Sequence, residues 1–383
     1  MKSVWAFTLG VSLALAGCAT QTTARRPALT GDPLVDGQNA VQFGPPRDRV
    51  LWEYRMAAAE LRRRRFDEAK RLLDDALPRI GGIIANDNDA KKARGLFQSE
   101  SKKTFIGEPY ERVMAYFYRG ILYWADGELD NARACFRSAE LQDADTENKT
   151  YAADYVLLDY LDGFCSAKLG GGGADEFKRA QANAKNSSPP PFYTKANVMV
   201  FLEFGHGPVK YATGEHGQQL RFRDAKPTAR SLVLRLGQQR IPLVPYDDLY
   251  FQATTRGGRV MDHILANKAV FKNTTDVVGD AAIISGLALA STGRNNEAAA
   301  IVGGLGVLSK IISGATTPAA DIRAWDNLPQ YLSFAALELP AGTHELSVDF
   351  QDRGGRTLLT KKAAFTIADP NKDTVLFVSE LNN

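Results

Sequence analysis

Cysteine and histidine are scarce in this chain of 383 residues, at three and four. That excludes a disulfide-knit scaffold and leaves little material for a zinc site. No charge of one sign dominates: 47 Lys and Arg stand against 44 Asp and Glu, a net of +3, so nucleic acid is not an expected partner. The one dense basic block, Arg62 to Arg65, falls where a helix should end and suits the negative end of its dipole. No apolar run reaches the ~20 residues of a bilayer-spanning helix. Signature motifs are missing too. There is no Gly-x-Ser-x-Gly and no His-Glu-x-x-His, and glycines 170 to 173 lack the Lys-Ser/Thr that completes a phosphate loop. Ser99-Glu100-Ser101-Lys102 has Ser-x-x-Lys spacing without the Ser-Asp-Asn and Lys-Thr-Gly partners that would give it meaning. No catalytic set and no cofactor are expected, and the chain reads as a non-enzyme.

What is present begins with a leader over residues 1–17. Lys2 supplies a positive start, and Val4 to Ala16 is an uncharged stretch of secretory length, too short to span a bilayer. It ends in Leu15-Ala16-Gly17-Cys18, which resembles the lipobox of bacterial lipoproteins. The resemblance implies that Cys18 becomes the mature N-terminus and carries diacylglycerol and a further acyl chain such as palmitate, the two lipid signals that stable anchoring needs. Ala19 rather than Asp at the next position implies sorting to the outer membrane, with the body facing the periplasm. Residues 18–47, rich in Thr, Gly and Pro without an apolar period, are expected as a flexible lipidated tether.

Residues 48–188 carry helical apolar spacing. Tyr116, Gly120, Tyr123, Gly127, Leu129, Ala132, Phe136 and Ala139 fall at offsets that resemble a tetratricopeptide repeat, a helix-turn-helix unit of about 34 residues. Gly120 and Ala132 are small so that two helices can approach, and Gly127 makes the turn. An earlier copy runs from Leu51 to Arg63 and from Phe66 through Ala76, with Pro78 expected to close it; a third covers Tyr151 to Lys168 and Ala174 to Lys185. The repeat resemblance places Phe117, Ile121 and Trp124 on the concave side. Either they bind a protein or peptide partner, or the insertion Gly81 to Tyr110 folds over them.

Ser187-Ser188-Pro189-Pro190-Pro191 is a stiff linker, and beyond it, over residues 189–383, the apolar period becomes two. Val198–Phe204, Leu220–Arg223, Ser231–Leu236, Ile241–Val244, Leu249–Thr255, Tyr331–Leu339, Thr343–Phe350, Leu358–Ile367 and Thr374–Val378 read as strands of an antiparallel sandwich. Residues 277–313 break that pattern. They are rich in Gly, Ala, Ile and Leu with a polar tip at Arg294 to Glu297, and read as a helical hairpin that either joins the core or docks on a partner or membrane. The fold class is therefore α+β, an all-α repeat-like half followed by a β-sandwich-like half carrying that hairpin.

Glu203, His206, Glu215 and His216 would approach one another across a hairpin and form the one conceivable metal set, but the glycines around them suit an exposed turn equally well, and no metal is expected. Cys135 and Cys165 fall on successive helices, where they form a disulfide or, the reading preferred here, simply fill core. Together with Phe105-Ile-Gly-Glu-Pro-Tyr-Glu-Arg-Val-Met114, Phe201-Leu-Glu-Phe-Gly-His-Gly-Pro-Val-Lys210 and Arg323-Ala-Trp-Asp-Asn-Leu-Pro329, these features make the chain resemble an uncharacterised family of bacterial lipoproteins with tetratricopeptide-like N-terminal halves. The resemblance implies architecture and cell-envelope work, and brings no activity. The expected function is an outer-membrane lipoprotein scaffold that binds an envelope protein or peptide. Alternatives are a structural subunit assembled through the 277–313 hairpin and a metal-dependent hydrolase using Glu203, His206 and His216.

Overall fold

The computed structural model describes residues 27–84, 104–144, 152–185, 188–215, 217–255 and 320–382. The leader with Cys18, residue His216 and the 277–313 hairpin lie outside the described residues. The fold is α+β, with a helical N-terminal half and a sheet C-terminal half.

The helices are α1 (Pro33–Phe43), α2 (Arg49–Arg62), α3 (Phe66–Ile84), α4 (Pro109–Ala125), α5 (Leu129–Asp143), α6 (Val156–Lys168), α7 (Ala174–Asn183) and the short α8 (Leu249–Thr254). Helix α1 corrects one expectation, because Pro33–Phe43 falls inside the segment read as tether. Asp32 caps it by accepting the Leu34 N–H, and Pro33 pre-sets its first turn. It packs tightly on α2. A Cβ at Gly37 would come within 2.4 Å of Met56 Cγ, so any side chain there must displace Met56. The close approach of α4 and α5 depends on glycine midway along α4, since a Cβ at Gly120 would lie 2.6 Å from the Phe136 ring. Pro78, expected to close a helix, sits inside α3. It removes one backbone hydrogen bond without ending the helix, whose packing on its neighbours outweighs that loss.

The strands are β1 (Val198–His206), β2 (Val209–Thr213), β3 (Gln219–Arg223), β4 (Ser231–Leu236), β5 (Gln239–Leu243), β6 (Asp247–Asp248), β7 (Pro329–Leu337), β8 (Gly342–Gln351), β9 (Thr357–Ile367) and β10 (Thr374–Ser379). They form a sheet in the order β10-β1-β7-β6, a second in the order β5-β4-β8-β9, and a separate β2-β3 hairpin. The second sheet is antiparallel throughout. The first is not, because β10 pairs with β1 in parallel from Val198↔Thr374 to Glu203↔Ser379. Leu249–Thr255, expected as a strand, begins α8 instead. Asp248 accepts the N–H groups of Tyr250 and Phe251, and this cap outweighs a β-leaning composition.

The halves share one core. The central strand β1 is covered on both sides: Met199 and Phe201 enter a cluster that contains Leu73, Phe117, Trp124 and Phe164 of the helices. Val198, Val200, Leu202 and Phe204 enter a second cluster with Leu234, Val348 and Phe350 of the other sheet. The molecule is thus layered as helices, sheet, sheet, and the helical cluster runs straight across the linker expected to separate two units.

Candidate functional site

Phe117, Ile121 and Trp124 recur at helical spacing on α4 and so share one face. They are 3%, 0% and 0% exposed, which corrects the reading of them as a partner-binding surface. What covers them is the chain's own first sheet. The Phe117 and Trp124 rings stand 6.4 and 6.0 Å from the ring of Phe201, both edge to face. Trp124 Nε1 donates to Asp373 Oδ2 at 2.8 Å, just ahead of β10. Among the described residues, the layer over this row therefore comes from the chain's own C-terminal half.

Four buried or half-buried carboxylates fasten the helices to the C-terminal half. Glu203, within the apolar run of β1, accepts from Arg62 Nε at 2.6 Å, from the Tyr118 hydroxyl at 2.5 Å and from the Ser379 hydroxyl at 2.7 Å. Burial drives the Tyr118 hydroxyl well above its ordinary pKa, so it stays a donor. Asp373 receives Lys168 Nζ at 2.8 Å as well as the indole. Asp247 in β6 accepts the first N–H groups of α6, from Val156 and Leu157, at 2.8 and 2.9 Å. It is an N-cap supplied from another layer, and burial pushes its carboxyl up to about 7. Glu111 on α4 holds Lys210 Nζ of β2 at 2.5 Å and the Trp325 N–H at 2.7 Å, with both charged side chains all but inaccessible. Such pairs are worth little net stability, but removing one partner is expensive, so they fix register rather than add affinity.

This network also takes up Glu203, the first member of the expected metal set. Glu203 faces the helices and is saturated by three donors, while His206 is exposed at the end of β1. Among the described residues no group of three His, Cys, Asp or Glu side chains is placed to hold a metal. Cys135 and Cys165 are buried and unpaired with each other. Burial pushes the Cys135 thiol up to about 11 and Cys165 higher still, which makes both poor nucleophiles.

Clefts open at two places among the described residues. One, of about 580 Å³, lies where α2 meets β2 and the 322–326 loop, and is lined by Trp52, Arg55, His206, Val209, Ile322 and Asp326. Ile322 and Val209 are exposed there, and Arg55 lies over the Trp52 ring at 4.5 Å. The other, of about 480 Å³, lies among α1, α2 and α3. On its floor Arg49 bridges Glu53 and Asp75 at 2.6 Å each, and burial together with Asp75 pushes Glu53 up to about 7. Sequence reasoning singled out only Glu203, His206 and Arg62 among these polar positions, and took Arg62 for part of a helix-end block where the structure buries it against Glu203. The signal that could have found the others is a lone charge beside apolar strand residues, as at Lys210 and Asp247. No family model, no curated protein and no solved structure matches the chain.

Proposed function

We propose that the chain is an outer-membrane lipoprotein, acylated at Cys18 and facing the periplasm, that serves as a protein-interaction scaffold in a cell-envelope process. Its helical half is a tetratricopeptide-like stack whose ligand face holds the chain's own sheet, so that partners bind at the rim. One observation carries this reading: Phe117, Ile121 and Trp124, the natural contact row of such a stack, are all three buried, Phe117 and Trp124 against Phe201, with Trp124 also donating to Asp373. A stack that has bound its own sheet has no apolar groove left for a peptide. The rim cleft, where exposed Ile322 and Val209 share the lining with Arg55 and Asp326, is larger than the cleft among α1, α2 and α3 and offers both an apolar and a charged contact to a partner side chain.

The test is photo-crosslinking in intact cells from a reactive residue at position 322 or 124, with adducts identified by mass spectrometry. A specific adduct from 322 and none from 124 is expected, and a partner captured from 124 overturns the rim assignment. The lipid anchor is tested separately. Radiolabelled palmitate should enter the wild type and not Cys18→Ser, and a wild type without label removes the anchor.

A second reading, assembly of an envelope complex through residues 277–313, draws support from one fact. Both flanks of residues 256–319 meet β3: α8 packs on it, and Ala320 is buried against Leu220 and Phe222. Deletion of residues 281–309 should then reduce particle size in solution, and an unchanged size removes this reading.

A further inference from the structure

Of the large apolar side chains that stand exposed among the described residues, four crowd into the first folded segment: Leu29 at 66%, Val35 at 44%, Val41 at 39% and Phe43 at 41%. The last three lie on α1. That helix has a single charged residue, Asp36, and it is turned inward, accepting the Thr30 and Gly31 N–H groups at 2.7 and 2.9 Å. Gln38, Val41 and Gln42 line the cleft that α1 forms with α2 and α3, and the face of α1 turned away from it is Val35, Asn39 and Phe43, one turn apart, with no charge at all. An outward helix face in water normally carries charges, and in a chain that is 24% charged their absence here needs a cause.

The position of the helix in the chain supplies one. Nine residue steps separate Cys18 from Pro27, which at full extension is about 30 Å. Acyl chains on Cys18 would hold the start of the body within that distance of the bilayer. The surface brought nearest is the one on which the chain emerges, that of Leu29 and α1. Arg25 and Arg26 in the connecting stretch and the exposed Arg47 just past α1 favour an anionic surface.

We propose that α1 is an interfacial element, lying with Leu29, Val35 and Phe43 in the headgroup region so that the body rests on the membrane in a fixed orientation instead of standing off on a long tether. This rests on the acylation of Cys18 for its setting, but the affinity of the face does not depend on that acylation and is measured without it.

The mature chain with Cys18→Ser is mixed with vesicles of three parts phosphatidylethanolamine to one part phosphatidylglycerol and floated on a density gradient. Partition at millimolar lipid is expected, and Val35→Asp with Phe43→Asp should lower the bound fraction at least five-fold, with Val35→Ser and Phe43→Ser lowering it less. Leu358→Asp, an equally exposed position on β9 in the far layer, should leave it unchanged. Because these side chains point outward, the unfolding midpoint of each variant stays at the wild-type value, which separates lost binding from lost folding. No flotation of Cys18→Ser, or flotation indifferent to the Asp pair, overturns the proposal. Failure of the anchor itself appears elsewhere, as wild type without palmitate label, so the two failures are distinguishable.

Discussion

Replacing Trp124 by Ala separates a filled groove from an open one. The indole is fully buried, with the Phe136, Phe164 and Phe201 rings at 6.4, 5.8 and 6.0 Å. Truncating a buried Trp leaves a cavity between the helices and the first sheet and costs about 3–5 kcal/mol. Asp373 also loses one of its two donors, although Lys168 still neutralises it, so the polar share is about 1 kcal/mol. Against a typical stability of about 5–15 kcal/mol, a loss near 4 is large. Urea unfolding followed by circular dichroism reads it directly. With a slope of roughly 3 kcal/mol per molar, the midpoint should fall by more than 1 M at constant slope. Capture of a partner, per molecule still folded, should not change. A midpoint within about 0.3 M of wild type combined with loss of a partner would refute the reasoning, because it would mean that the indole faces a ligand.

Glu203→Gln keeps the shape of its site but withdraws the charge that neutralises Arg62 between the layers, and should cost about 3 kcal/mol in the same assay; a change under 1 kcal/mol would contradict the role given to that network. Glu140 is pushed up to about 8, by burial first and then by Asp159 and Asp162 alongside. A carboxyl whose folded pKa is raised holds its proton more tightly in the folded state, so the stability it contributes is complete below about pH 4.5 and is lost as pH climbs towards 8. Glu140→Gln should therefore unfold like wild type at pH 5 and be more stable by on the order of 2–4 kcal/mol at pH 9; parallel pH profiles would exclude the assignment. Cys135 and Cys165, buried with raised thiol pKa values, should resist a thiol reagent in the native state and react fully in urea, and native reactivity at either would show local opening the packing does not predict.

Local pattern carried much of this architecture. The Gly120 and Phe136 spacing identified a close helix pair, and the alternation of Ser231–Leu236 marked β4 to the residue. What escaped has physical reasons. Periodicity shows which side of a helix is apolar, as for Phe117, Ile121 and Trp124, but not what covers it, because the cover comes from strands some 80 to 250 residues away. The clue lay in β1. An unbroken apolar run such as Val198 to Leu202 belongs to a strand buried on both faces, and a simple two-sheet sandwich offers it only one. The parallel pairing of β1 with β10 joins segments more than 170 residues apart and leaves no local trace. Helix α1 was hidden by amides and glycine, and α8 by a strand-like composition that the Asp248 cap overrides.

The claim beneath all of these is that the helical half has no complete core without the first sheet. Residues 27–187 produced alone would expose Phe117, Tyr118, Trp124 and Phe164, all buried in the whole chain. The account predicts that this fragment shows no cooperative thermal transition, and that supplying residues 188–383 restores one. A fragment that melts cooperatively by itself, with the helix content of the intact protein, would contradict it.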